Sequence, residues 1–112
     1  MYTFHHFHSI AHEVLGIARG EVRVLLGGPS GRKITARVGD VLVIPAGVAH
    51  RNMGQSADLL VDGAYPGGGT FDLLCADPAE FDQARRNVAA VPLPDLDPVP
   101  GLHALHRLWG AR

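Results

Sequence analysis

Glycine and proline cut this chain into runs too short for long helices but the right length for strands. There are 14 glycines and 8 prolines among 112 residues, spread as punctuation and not gathered in one tract. The runs between them are aliphatic and β-branched. Residues 1–8 read as extended, and residues 13–19 and 21–26 follow. In the latter, Val22, Val24 and Leu26 alternate with Glu21, Arg23 and Leu25, the period of two expected of a strand with one buried face. Gly27-Gly28-Pro29-Ser30-Gly31 is a turn, and residues 33–38 alternate again, with Ile34, Ala36 and Val38 on one side. Val41 to Ile44 is a continuous apolar run, as of a strand buried on both faces, and Pro45-Ala46-Gly47 breaks it. Residues 49–53 and 59–65 supply two more strands. Short strands at this spacing signal an all-β sandwich, barrel or jelly roll.

After Pro66-Gly67-Gly68-Gly69 the pattern changes. No Gly-Lys-Ser/Thr follows these glycines, so they are not a phosphate loop. Asp77-Pro78-Ala79-Glu80 starts a helix, with Asp at the N-cap, Pro at the first helical position and Glu in the first turn. The helix is expected to reach about Asn87 with Phe81, Ala84 and Val88 inward. A Pro-rich extended segment and a short helix over 102–109 complete a tail packed on the strands. The expected organisation is therefore a β unit over residues 1–76 and a helical, Pro-rich tail over 77–112. There is no internal repeat.

Ten basic residues against 11 acidic ones give a net charge of −1, which offers no electrostatic reason to bind nucleic acid or an anionic membrane. The single cysteine, Cys75, cannot form an internal disulfide, and the first dozen residues lack the regions of a secretory leader, so a cytoplasmic protein is expected. Cys75 itself is expected to be a small buried hydrophobe.

Those first dozen residues instead hold four of the seven histidines. His6 and His8 are two apart, so on a strand both rings face one way. Glu13 shares its face with Leu15 and Ile17, and a carboxylate among core positions is costly unless paired or bound to a cation. A partner strand beginning near His12 would bring Glu13 beside the histidine pair. His50 opens the strand after the Pro45–Gly47 bend. Three neutral imidazoles and one carboxylate suit a divalent transition metal, and an octahedral ion would keep two positions open. The alternatives are exposed strand histidines and a surface hairpin for Glu13. His12, out of phase, is expected beside the site or on the surface. His5 is expected to be structural or exposed, His103 and His106 to be surface residues, and Arg51 to point away from the cavity. Tyr2, Phe4 and Tyr65 are candidates to line the cavity, though core packing is the readier explanation.

At these residues the sequence resembles the cupin superfamily. Its first motif, His-x-His, four residues, Glu, six residues, Gly, is matched by His6, His8, Glu13 and Gly20. Its second, Gly, five residues, Pro-x-Gly, two residues, His, is matched by Gly39, Pro45, Gly47 and His50. The resemblance implies a cupin double-stranded β-helix, a jelly-roll barrel, with a metal held inside by His6, His8, Glu13 and His50. Further similarity in His-Ser-x-x-His-Glu-Val-Leu-Gly, Gly-Ala-Tyr-Pro and Val-Pro-Leu-Pro-x-x-Asp-Pro is to bacterial single-domain cupins of the YjlB-like group, which has no settled activity to carry over. Two positions depart from the pattern. Gly54 stands where many cupins have Asn, with Asn52 two residues earlier. The chain also begins almost at the ligands, so either its first strands lie upstream or a partner subunit supplies an edge strand. A homodimer is expected on that ground.

Three functions are compatible with the resemblance. The leading one is a metal-dependent enzyme of dioxygenase type on a small oxygenated molecule, with Glu13 also accepting a proton. The second is a metal-dependent isomerase or lyase. The third is a small-molecule sensor without turnover. The ligand set suits Fe, Mn, Ni, Cu, Zn or Co.

Overall fold

The computed structural model describes residues 1–75, 77–94 and 98. Six strands occur in chain order: β1 (Glu13–Arg19), β2 (Glu21–Leu26), β3 (Arg32–Arg37), β4 (Val41–Ile44), β5 (His50–Gln55) and β6 (Leu60–Ala64). Two 3₁₀ turns, Pro66–Gly68 and Pro78–Glu80, precede one helix, α1 (Phe81–Ala90). The strands lie where alternation and the glycine turns place them. The strands form two antiparallel sheets, ordered β4-β1-β6 and β3-β2-β5.

The chain changes sheet between β1 and β2, where Gly20 adopts a left-handed φ of 73°. The core lies between the sheets. Ile17 from β1 meets Val22 and Val24 from β2 and Ala36 from β3, with Leu42 and Val61 packed around them. Val22 and Val24 are fully buried, and each such side chain contributes roughly 1.5–3 kcal/mol relative to exposure. On β1 the buried positions are Glu13, Leu15 and Ile17, so the phase that seats β1 on the core also carries a carboxylate inward.

Two expectations about burial are corrected. β4 is not buried on both faces: it lies at the end of its sheet, paired to β1, and Val41 is 43% exposed while Ile44 is buried. An edge strand with one face on the core needs only half its side chains apolar for packing. Phe81 is likewise exposed at the first turn of α1, whereas Ala84 is buried and Val88 half-buried. The helix start is as expected: Asp77 Oδ1 accepts the Ala79 N–H at 3.0 Å and Pro78 follows the cap. α1 ends at Ala90, shortly before Pro92, whose ring disfavours helical geometry in the residue ahead of it. The helix expected over 102–109, with His103 and His106, lies outside the described residues. No helix among the described residues is long and apolar enough to cross a membrane.

α1 is seated on the bend that precedes β5. Gly47 has φ of 89°, and a Cβ there would stand 3.0 Å from Val88 Cγ2. Gly47→Ala is therefore expected to cost about 1–3 kcal/mol in urea unfolding, from left-handed strain plus the clash. Val88→Ala should cost less in that background than alone, because it relieves the contact. Equal costs in both backgrounds would show that the helix does not press on Gly47.

Candidate metal centre

Residues 6–8 are stitched in place by backbone hydrogen bonds on both sides. His6 and His50 exchange both of theirs, at 3.1 and 2.8 Å, and the His8 carbonyl accepts the Gly47 N–H at 2.7 Å. On the other side Phe7 and Leu74 exchange theirs at 2.9 and 3.0 Å. This alternation is strand geometry, and it turns His6 and His8 to the same face. β5 begins at His50, so the third imidazole is presented by the partner of the first two. The fourth residue comes from the opposite sheet. Glu13 opens β1 and pairs with Ile44, the residue before the Pro45–Gly47 bend.

All four side chains are buried. One ring nitrogen from each of His6, His8 and His50 lies within 4.8 Å of the other two, a group that can hold a metal ion. Glu13 reaches two of the rings: Oε1 stands 3.1 Å from His50 Nε2 and Oε2 stands 3.2 Å from His8 Nε2. Donors at right angles, each about 2.1 Å from an ion, are separated by roughly 3.0 Å. The spacing thus fits one ion touching both.

The histidine tautomers are set by what lies behind them. His6 Nδ1 faces the Phe4 carbonyl at 3.0 Å, His50 Nδ1 the Val48 carbonyl at 3.2 Å, and His8 Nδ1 the Asp72 carbonyl at 2.5 Å. A carbonyl oxygen only accepts, so each Nδ1 carries the proton. In the neutral rings Nε2 then holds a lone pair, and at His8 and His50 that lone pair meets a carboxylate. His50 Nε2 is buried and makes no hydrogen bond, although it lies 3.1 Å from Glu13 Oε1. Lone pairs facing lone pairs in a buried site call for a positive charge between them, either protons or a metal ion.

The ionisation tendencies agree. Burial raises the pKa of Glu13, but His50, His8 and the Tyr65 hydroxyl overcome this and hold the carboxyl well below the usual carboxylate range. Burial lowers His8, and the Glu13 carboxylate and Asp72 carbonyl overcome it, so His8 gains a proton more readily than usual. His6 moves down, chiefly through burial, with the Phe4 carbonyl opposing and His50 and His8 reinforcing. With three neutral rings and one carboxylate, a divalent ion here would retain a formal charge of about +1 and favour an anionic oxygen ligand.

The cavity above these residues has a volume of about 280 Å³, and its walls include Tyr2, Leu15, Val61, Tyr65 and Phe71. Tyr2 and Phe71 are about half exposed, placing them at its rim. Tyr65 is more than lining. Its hydroxyl donates to Glu13 Oε2 at 2.5 Å, and burial together with that carboxylate raises its pKa, so the phenol keeps its proton.

Of the four expected ligands, the structure clusters the ring nitrogens of His6, His8 and His50 and sets Glu13 against His8 and His50, by a route other than the expected one. The strand of His6 and His8 pairs with β5, whereas β1 lies in the other sheet. His12 is buried and braces the bend ahead of His50 by accepting the Ala46 N–H at its Nδ1, 2.9 Å away. Cys75 is exposed, not buried. Tyr2 and Phe4 stack on each other at 4.9 Å and are about half exposed, so they are not core residues. The sequence does not mark Asp72; it marks Ser9 only within the His-Ser-x-x-His stretch, and Tyr65 as one of three candidate lining residues. Its place in Gly63-Ala64-Tyr65-Pro66 was the available signal.

The cupin family's sequence model matches residues 4–61, just over half of the chain. A Bacillus subtilis (strain 168) protein described as "Uncharacterized protein YjlB" is 41% identical over 101 residues, which is 90% of this chain. The chain spans 61% of the length of that relative. No solved structure matches it. Family match, antiparallel sheets and the clustered histidines agree: the chain belongs to the cupin family.

Proposed function

We propose that this cupin is a metal-dependent enzyme in which His6, His8, Glu13 and His50 hold one divalent transition-metal ion at the floor of a jelly-roll cavity. The leading chemistry is oxidation of a small oxygenated molecule by dioxygen. The observation that carries the metal reading is the backbone anchoring of all three Nδ1 atoms, which leaves each Nε2 with a lone pair, those of His8 and His50 within 3.2 Å of a buried carboxylate oxygen. A redox-active ion at that point, such as Fe, Mn, Ni or Cu, would supply Lewis acidity and the means to activate substrate or dioxygen.

The chain's own residues supply the rest. Glu13 is the sole carboxylate among the described residues lining the cavity, and it stays ionised at neutral pH. The lowered pKa makes it a weak base, so its part is to hold the ion and offset its charge. Leu15, Val61 and Phe71 provide an apolar wall, which selects a compact ligand and limits water. The cavity volume of about 280 Å³ suits a small molecule and no polymer.

Protein purified without a His-tag is expected to contain, or to take up, about one transition-metal ion per chain by elemental analysis. His50→Ala and Glu13→Ala should each lose it, because each leaves the ion one protein donor short. A wild-type chain that takes up none of Fe²⁺, Mn²⁺ or Zn²⁺ would refute the metal reading.

For the reaction, oxygen uptake by the metal-loaded protein is expected with at least one member of a panel of diphenols, thiols and keto acids. Turnover that persists without oxygen would replace this chemistry with a metal-dependent isomerase or lyase. Ligand-dependent thermal stabilisation without product would make the chain a binding module.

A further inference from the structure

The segment that follows β6, residues 65–75, meets the ligand set at several points. Tyr65 donates its hydroxyl proton to Glu13 Oε2 at 2.5 Å. Phe71 stacks on Tyr65 with ring centres 4.4 Å apart and sets its ring edge-on to His8 at 5.3 Å. The Asp72 carbonyl accepts from His8 Nδ1. Leu74 pairs with Phe7, between the two histidines.

The segment is itself fastened. The Asp72 carboxylate accepts the Ser9 N–H at 2.7 Å through Oδ1 and the Ser9 hydroxyl at 2.5 Å through Oδ2. Asn87 of α1 donates to the same Ser9 hydroxyl at 3.0 Å. These bonds join residues 63 and 78 positions apart, so they fix tertiary geometry and not a local turn.

A carboxylate needs such fixing. The terminal torsion of Glu is broad, so burial alone does not choose which oxygen lone pair faces inward. A phenol bound to Oε2 removes that freedom and leaves Oε1 beside His50. An imidazole needs it equally, because losing the Nδ1 acceptor allows the other tautomer and puts a proton where a metal would bind.

We propose that residues 65–75 form a clamp that sets the affinity and geometry of the metal site, with Tyr65 the positioning residue of Glu13 and Asp72 that of His8. This rests on the metal reading above. The clamp is a contribution of the chain outside the four ligands, and it makes the carboxylate and one imidazole answer to a single loop.

Titration of the full chain with Co²⁺, followed by its visible absorption, tests the clamp. Tyr65→Phe removes one oxygen and keeps the ring stacked on Phe71. It is expected to weaken Co²⁺ binding by about 10–100-fold and to shift the visible bands, while the metal-free chain still folds, at a melting temperature lowered by the loss of one hydrogen bond to a buried carboxylate. Asp72→Asn puts an amide N–H against one of the Ser9 donors and is expected to weaken binding over the same range. Should Tyr65→Phe fail to fold, Asp72→Asn carries the test alone. Wild-type affinity and wild-type bands in the folded variants would overturn the clamp and leave the metal site standing. A wild-type chain that takes up no Co²⁺ would remove the site, and the clamp with it.

Discussion

A carboxylate buried against imidazole lone pairs is the constraint on which the rest of this structure depends. Glu13 sits on the core face of β1, in phase with Leu15 and Ile17, so the hydrophobic effect that seats the strand also desolvates the charge. Burial of an unmatched carboxylate costs several kcal/mol. The fold offsets that cost with elements remote in sequence: the first residues, the start of β5 and the segment after β6. Each delivers a group within reach of one oxygen or the other.

The backbone takes an unusual share in this. Three carbonyls, of Phe4, Val48 and Asp72, decide the tautomers of three rings. Carbonyl positions follow from strand pairing and turn geometry and not from side-chain identity. The chemical state of the site is therefore tied to the path of the chain, and a substitution that shifts a turn by a fraction of an ångström alters it.

This explains what could be read from the sequence. The strands were legible because short apolar runs, alternating at 21–26 and 33–38, are cut by glycine turns, and His6, His8, Glu13 and His50 stood out because their spacing matches the cupin motifs. The contacts of Tyr65 and Asp72 were not, because they reach their targets across 52 and 64 residues, and local sequence does not name a partner so far away. The pairing of residues 6–8 with β5 was missed for the same reason: local alternation gives the face of a strand but not its neighbour. The exposure of Val41 has this origin too, since an apolar run looks alike at the centre and at the edge of a sheet.

The order of strands in the two sheets has a consequence for how the molecule assembles. β1 is flanked by β4 and β6, and β2 by β3 and β5, so among these strands only the β2–β3 pair is a hairpin of consecutive neighbours. Every other pairing waits for chain made later, and loop closure must be completed before those contacts reward it. During synthesis, the β3-β2-β5 sheet has all its strands once Gln55 has emerged and the β4-β1-β6 sheet only at Ala64, and the loop that fastens His8 comes later still. His6 and His8 are thus fixed by partners that follow them in the chain, so the candidate site is complete only when residues 65–75 are in place.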